Sequence, residues 1–115
     1  MKPELCDRLL LFAVNTIRLL RKIANTEEYK IIKHQLIKSS TSSGANYEEA
    51  QGGSSRADFR NKVFISLKEM RESNYWMKVL RGINENEKFN KEIAELVNES
   101  QELKNILGSI ASKLK

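Results

Sequence analysis

The sequence predicts an all-α protein, an antiparallel up-down-up-down four-helix bundle, and three observations carry that reading. Almost nothing interrupts a helix: in 115 residues the one proline stands at position 3, and there are only five glycines. The breaks that do occur, at Asn25-Thr26, at Gly52-Gly53-Ser54-Ser55 and from Gly82 to Asn86, divide the chain into four segments of comparable length. Within the segments apolar residues recur at the alternating three-and-four spacing of a helix face. The expected helices span residues 4–24, 27–51, 55–81 and 86–113 of a single domain covering 1–115. Connections of about 3–6 residues leave successive helices no choice but to run antiparallel.

The first segment has apolar residues at 5, 9, 12, 19 and 23, with a second stripe at 10, 13, 17, 20 and 24. A helix apolar over two adjacent stripes belongs either deep in a core or between its bundle mates and another subunit. The second segment opens with Thr26 as N-cap and Glu27 and Glu28 in the first turn, where the helix dipole favours anions. Its middle, Ser39-Ser40-Thr41-Ser42-Ser43-Gly44-Ala45, has the composition of a loop, because serine and threonine compete for backbone hydrogen bonds. The run continues directly into Asn46-Tyr47-Glu48-Glu49-Ala50, so we read it as helix. Small side chains there let a neighbouring helix approach closely.

The third segment starts on Ser54 or Ser55 as N-cap, with Asp58 three residues after Ser55 in the arrangement of a capping box. Apolar or small residues follow at 59, 63, 66, 70, 73, 77 and 80, and Gly82 supplies the expected stop. The fourth segment holds an unbroken heptad seam of Phe89, Ile93, Leu96, Ser100, Leu103, Leu107, Ile110 and Leu114, the pattern of left-handed packing. At 1.5 Å per residue, helices of about 20–27 residues are roughly 30–40 Å long. A bundle that slender has a large lateral surface, the geometry that favours side-by-side association.

Chemistry-bearing motifs are scarce, and no catalytic residue, cofactor or metal site is expected. There is no glycine-rich phosphate loop, dinucleotide fingerprint or nucleophile with a nearby base. One cysteine, Cys6, and one histidine, His34, fall short of a zinc site, and a di-iron carboxylate centre needs two Glu-x-x-His pairs that are absent. A purely carboxylate ion site drawn from Glu48, Glu49, Glu69 and Glu72 is the remaining metal option. His34, beside Lys33 and Lys38, reads as a surface or interfacial residue, and Cys6 as a small packing residue. A lone cysteine, no signal-peptide pattern and no run of ~20 apolar residues together point to a cytoplasmic protein without a membrane partner.

Net charge is +5, and its distribution is uneven. Lysine and arginine outnumber the acids by 5 to 2 in residues 1–26 and by 7 to 3 in residues 54–82, while the other two segments are slightly acidic. A basic surface on the first and third helices fits a polyanionic partner, with Arg18, Arg21, Lys22, Arg56, Arg60 and Arg71 as candidate phosphate contacts. The alternative is ordinary solvation of helix surfaces. Polar residues also recur where helices two and three should meet: Asn46, Glu49, Asp58, Lys62, Glu69, Glu72 and Tyr75. Asn46 and Glu49 are expected to make buried or interfacial hydrogen bonds, whereas solvent-facing pairs such as Lys68 with Glu72 are the plainer reading. Tyr75-Trp76, near Lys78 and Arg81, is read first as core or subunit packing and second as a stacking surface for bases or a protein.

At these residues the sequence resembles a known family. The strings Ser43-Gly44-Ala45-Asn46-Tyr47-Glu48-Glu49-Ala50, Ser55-x-x-Asp58-Phe59-x-x-Lys62 and Ile65-Ser66-Leu67-Lys68-Glu69-x-x-Glu72-x-x-Tyr75-Trp76 occur in the order seen in the four-helix bundle proteins named for the 23S ribosomal RNA intervening sequence. The resemblance implies side-by-side association into a ring, typically a homopentamer with a central opening. A related group, the accessory variability proteins of diversity-generating retroelements, is distantly similar. It forms a basic pentameric barrel that binds a reverse transcriptase and nucleic acid. The chain departs from the family pattern at Gly44, where many members have isoleucine, and at Ala50-Gln51, where many have glycine after the acidic residue. The sequence thus leads to a non-enzymatic homo-oligomer binding RNA or DNA through a basic surface. The alternative is a ring-shaped scaffold for a protein partner.

Overall fold

A computed structural model describes residues 4–53 and 55–115. Four helices account for nearly all of them: α1 (Leu5–Lys22), α2 (Glu27–Gln51), α3 (Arg56–Ile83) and α4 (Asn90–Ser112), the last preceded by a single 3₁₀ turn, Glu87–Phe89. Helices α1 and α3 each pack on α2 and α4 but not on each other, so they occupy diagonal corners of an up-down bundle. The molecule is slender, 46 × 30 × 20 Å.

The four seams are not equal. Helix α3 is the hub, packed most extensively on α2 and α4, whereas α1 meets α4 only slightly. The heptad seam of α4 buries Phe89, Ile93, Leu96, Ser100, Leu103 and Leu107 as its spacing predicts, with Ile110 and Leu114 half-buried at the end. On α3 the predicted positions Val63, Ser66, Met70, Ser73, Met77 and Leu80 are all buried, and Phe59 packs partly against the core.

The serine-rich stretch is helical throughout, and its small side chains set the closest helix pair. Ser43 Oγ donates to the Ser66 carbonyl at 2.8 Å while Ser66 Oγ donates to the Ser43 carbonyl at 2.8 Å. One turn earlier on α2 and two turns later on α3, Ser39 and Ser73 share a hydroxyl contact of 2.7 Å. All four serines are fully buried. Each hydroxyl is satisfied across the seam, so burial carries no unpaired polar group. Asn74 Nδ2 likewise donates to Ser100 Oγ at 2.9 Å, tying α3 to α4 inside the core.

Several boundaries differ from the expectation. Helix α1 stops at Lys22, because Ile23 turns extended and its carbonyl accepts from the Lys33 ammonium of α2 at 2.6 Å. Gly82 does not stop α3, which continues to Ile83 with Asn84 as its cap. Glycine in a last turn costs only about 1 kcal/mol, too little to end a helix held by its neighbours. Ser55 is the N-cap of α3, its hydroxyl accepting from the Asp58 amide at 3.0 Å, while the alternative cap Ser54 lies outside the described residues. Thr26 occupies the N-cap position of α2 without a side-chain capping bond.

Helix α1 buries less than its two stripes promised. Leu9, Phe12, Leu19 and Ile23 of the first stripe are in the core, as are Ala13 and Leu20 of the second. Leu10 is 62% exposed and Leu11 57%, so a large apolar surface of α1 faces outward.

Candidate functional site

The polar residues singled out between α2 and α3 separate into two groups. Glu49 is exposed rather than buried, and its carboxylate stands 3.9 Å from the Lys62 ammonium. Asn46 is half-buried but turns back on its own helix, donating to the Ser42 carbonyl at 2.9 Å. The polar groups buried in this seam are the serines. Position explains Glu49, which lies farther around α2 than Ser39 and Ser43; Asn46 shares the stripe of Ser39, and its amide is drawn away by the Ser42 carbonyl. Lys62 is held mainly by Asp58, one turn earlier, at 3.1 Å.

On the outer flank of α3, Glu69 and Trp76 lie seven residues apart on one stripe. Glu69 Oε1 and Trp76 Nε1 are both shielded from solvent and lack a hydrogen-bond partner among the described residues. Beside them Glu72 is exposed and Tyr75 is 59% exposed. The Tyr75 and Trp76 rings meet edge to face with centroids 5.2 Å apart. Trp76 packs against the core as expected of the pair, whereas Tyr75 does not. The predicted helical register of Tyr75 leads away from the bundle axis, which periodicity alone would have shown.

The six candidate cations do not form one patch on the single chain. Arg18, Arg21 and Lys22 stand near one end of the bundle on α1, and Arg56 and Arg60 near the opposite end on diagonal α3, with Arg71 between the ends. The five arginines are exposed and form no ion pair among the described residues. Lys22 differs, since its ammonium is 2.9 Å from Glu92 of α4. Arg8, which the sequence reading passed over, is engaged most fully. It grips Glu99 with two bonds of 3.1 and 2.7 Å and reaches Glu102 at 2.9 Å.

Three surface depressions bear on function. Between α1 and α2 lies an apolar groove of about 210 Å³ lined by Cys6, Leu9, Leu10, Ala13, Thr41, Gly44, Ala45 and Glu48. Burial pushes the Cys6 thiol up from its ordinary range, and the charges of Glu48, Asp7 and Glu4 add to the push. That keeps the thiol protonated and poorly nucleophilic, in line with a packing role. At the same end of the bundle, across on the α3–α4 side, two shallow clefts share Arg56 and Leu114. One, about 300 Å³, is completed by Ala57, Arg60 and Lys115. The other, about 420 Å³, is completed by Ala50, Gln51, Gly53, Ser55 and Phe59. Antiparallel connectivity alone places the start of α3 beside the end of α4, so Lys115 was within reach of sequence reasoning.

Among the described residues no group of three or more His, Cys, Asp or Glu could hold a metal ion. No helix among them is long and apolar enough to cross a membrane. The molecule is therefore of the class of antiparallel four-helix bundles built on a serine-lined seam, with exposed arginines on two diagonal helices. Within that class the chain belongs to the 23S rRNA-intervening sequence protein family, whose profile matches residues 3–109. The fold is similar to the crystal structure of a protein of unknown function from the S23 ribosomal protein family of Bacteroides thetaiotaomicron. The similarity has a TM-score of 0.81 at 34% identity and covers 94% of this chain and 98% of that one. No curated protein matches the chain.

Proposed function

We propose that this chain is a non-enzymatic, self-associating bundle that binds nucleic acid through the basic surfaces of α1 and α3. The observation that carries the reading is that the five candidate arginines, and Arg81 with them, are exposed and have no ion-pair partner among the described residues. Cations that served only to balance neighbouring acids would be paired as Arg8, Lys22 and Lys62 are. Unpaired guanidinium groups suit phosphate, which they meet with two parallel bonds. The family's name, referring to an insert in ribosomal RNA, is in keeping with a nucleic-acid setting.

Self-association draws support from what the lone bundle leaves open. Leu10, Leu11, Ile31, Ile37 and Tyr75 are exposed on its sides, and Glu69 and Trp76 lack partners beside Tyr75. A second copy seated on the outer flank of α3 would cover the aromatic pair and supply hydrogen bonds for both groups. Different side surfaces on one chain form head-to-tail contacts, which close into a ring when the rotation allows it. Five copies is the number the family resemblance gives.

Binding to labelled RNA and DNA strands at increasing salt tests the nucleic-acid reading. Affinity should fall steeply between ~50 and ~200 mM salt, because each neutralised phosphate releases counterions. Undetectable binding at ~50 mM salt, where such contacts are strongest, sinks it. A scaffold for a protein partner is the second reading, favoured by the exposed Tyr75 ring, since aromatic residues anchor protein interfaces. It requires capture of a partner that survives nuclease treatment.

A further inference from the structure

We infer that nucleic acid is held at one end of the bundle, in the paired clefts between the start of α3 and the end of α4, and that the strand bound there is single. This rests on the nucleic-acid reading above and narrows it to one place. The first cleft collects Arg56, Arg60 and Lys115 around Leu114, with no acidic side chain in its lining. Arg56 and Arg60 lie one turn apart on α3, so both guanidinium groups address the same side of that helix. The nearest acid in sequence, Asp58, is taken up by Lys62 at 3.1 Å. Of the other side-chain carboxylates of this end, Glu4, Asp7 and Glu48 act on Cys6 at the α1–α2 side, and Glu49 stands 3.9 Å from Lys62. None of these acids lines the first cleft.

The adjoining cleft supplies a different chemistry. It shares Arg56 and Leu114 with the first, and adds the half-buried Phe59 ring and the Gln51 amide. Cations beside an aromatic face and an amide match a phosphate followed by an unstacked base, the pattern of single-strand sites. A duplex keeps its bases stacked and could use only the cationic half. The depression at the opposite end also brings a cation, aromatic rings and amides together, in Lys88, Tyr29, Phe89, Asn84 and Asn86, but Glu85 and Glu87 line it and no arginine does, and Glu27 and Glu28 stand in the neighbouring first turn of α2. Assembly through the sides of the bundle would also leave the ends free.

The test compares the purified full chain with three double variants by fluorescence anisotropy, using a short labelled RNA strand, the DNA strand of the same sequence, and the corresponding DNA duplex. R56Q/R60Q should weaken binding of either strand by about tenfold or more at ~50 mM salt and make the logarithmic salt slope shallower by about one to two phosphates. R56K/R60K should retain most of the affinity and the wild-type slope, and K30Q/K38Q, which removes the same charge from α2, should stay within about twofold of wild type. All substituted residues are exposed, and circular dichroism checks that each variant keeps its helices. Equal losses in R56Q/R60Q and K30Q/K38Q, or no loss in R56Q/R60Q while the wild type binds, overturn the placement but leave the nucleic-acid reading intact. Duplex binding as tight as single-strand binding overturns the single-strand assignment. Failure of the wild-type chain to bind any of the three probes removes the nucleic-acid reading and this inference with it.

Discussion

Buried hydroxyls at two places in the bundle have opposite fates. Thr16 of α1 is fully buried and its Oγ1 has no partner among the described residues, whereas Ser43 and Ser66 exchange bonds across the α2–α3 seam at 2.8 Å each. An unpartnered buried hydroxyl costs free energy, and a partnered one returns about 1 kcal/mol. Thr16→Val should therefore raise stability by roughly 1 kcal/mol, and Ser43→Ala should lower it by a similar amount. Urea unfolding with an unchanged m-value reads both. Loss of stability in Thr16→Val would mean that the hydroxyl has a partner after all. At this scale the sequence conveyed the importance of the small residues but not the hydrogen-bond partners. Arg8 with Glu99 spans 91 residues, and Asn74 with Ser100 spans 26, distances at which local pattern carries no information. Asn46 and Glu49 misled for the converse reason: being polar and close to the seam does not place a residue in it.

The helices themselves were legible because periodicity is local. The α4 heptads and the α3 stripe name the buried residues directly, and the serine run reads as helix once its continuation into Tyr47 and Ala50 is seen. Glycines were harder, since one residue type serves different ends. Gly82 lies within α3 with open space around it, and Gly53, in the α2–α3 turn, is crowded. A Cβ at Gly53 would come within 2.8 Å of Asp58 Oδ2 and 3.2 Å of the Ala50 carbonyl, so glycine is needed there for room. No glycine has a positive φ, which removes backbone conformation as the reason. Gly82→Ala should stabilise the protein by about 0.5–1 kcal/mol through helix propensity. Gly53→Ala should destabilise it by up to about 1 kcal/mol, because Asp58 would be shifted from its surface pair with Lys62. Thermal unfolding of the two variants should shift in opposite directions, and a common direction would contradict this account of the turn.

For the whole molecule, the diagonal placement of α1 and α3 decides how its charge can be used. Their arginines face away from one another on a single chain, so a partner contacts one cluster, or an assembly brings clusters of different copies together. The sequence revealed which helices are basic, and antiparallel connectivity already sets Arg56 and Arg60 by the end of α4; the cleft they form with Leu114 and Lys115 emerges only from the packed bundle. In the proposed reading the exposed apolar residues on the sides serve assembly and the clefts at the end serve binding. Sedimentation velocity of the chain mixed with a labelled single-stranded RNA addresses both halves of that division at once. The protein should sediment as a multiple of its 13.3 kDa chain and carry the RNA with it at ~50 mM salt, releasing it as salt rises toward ~200 mM. A 13.3 kDa species with the RNA sedimenting free at the lower salt would contradict both self-association and nucleic-acid binding.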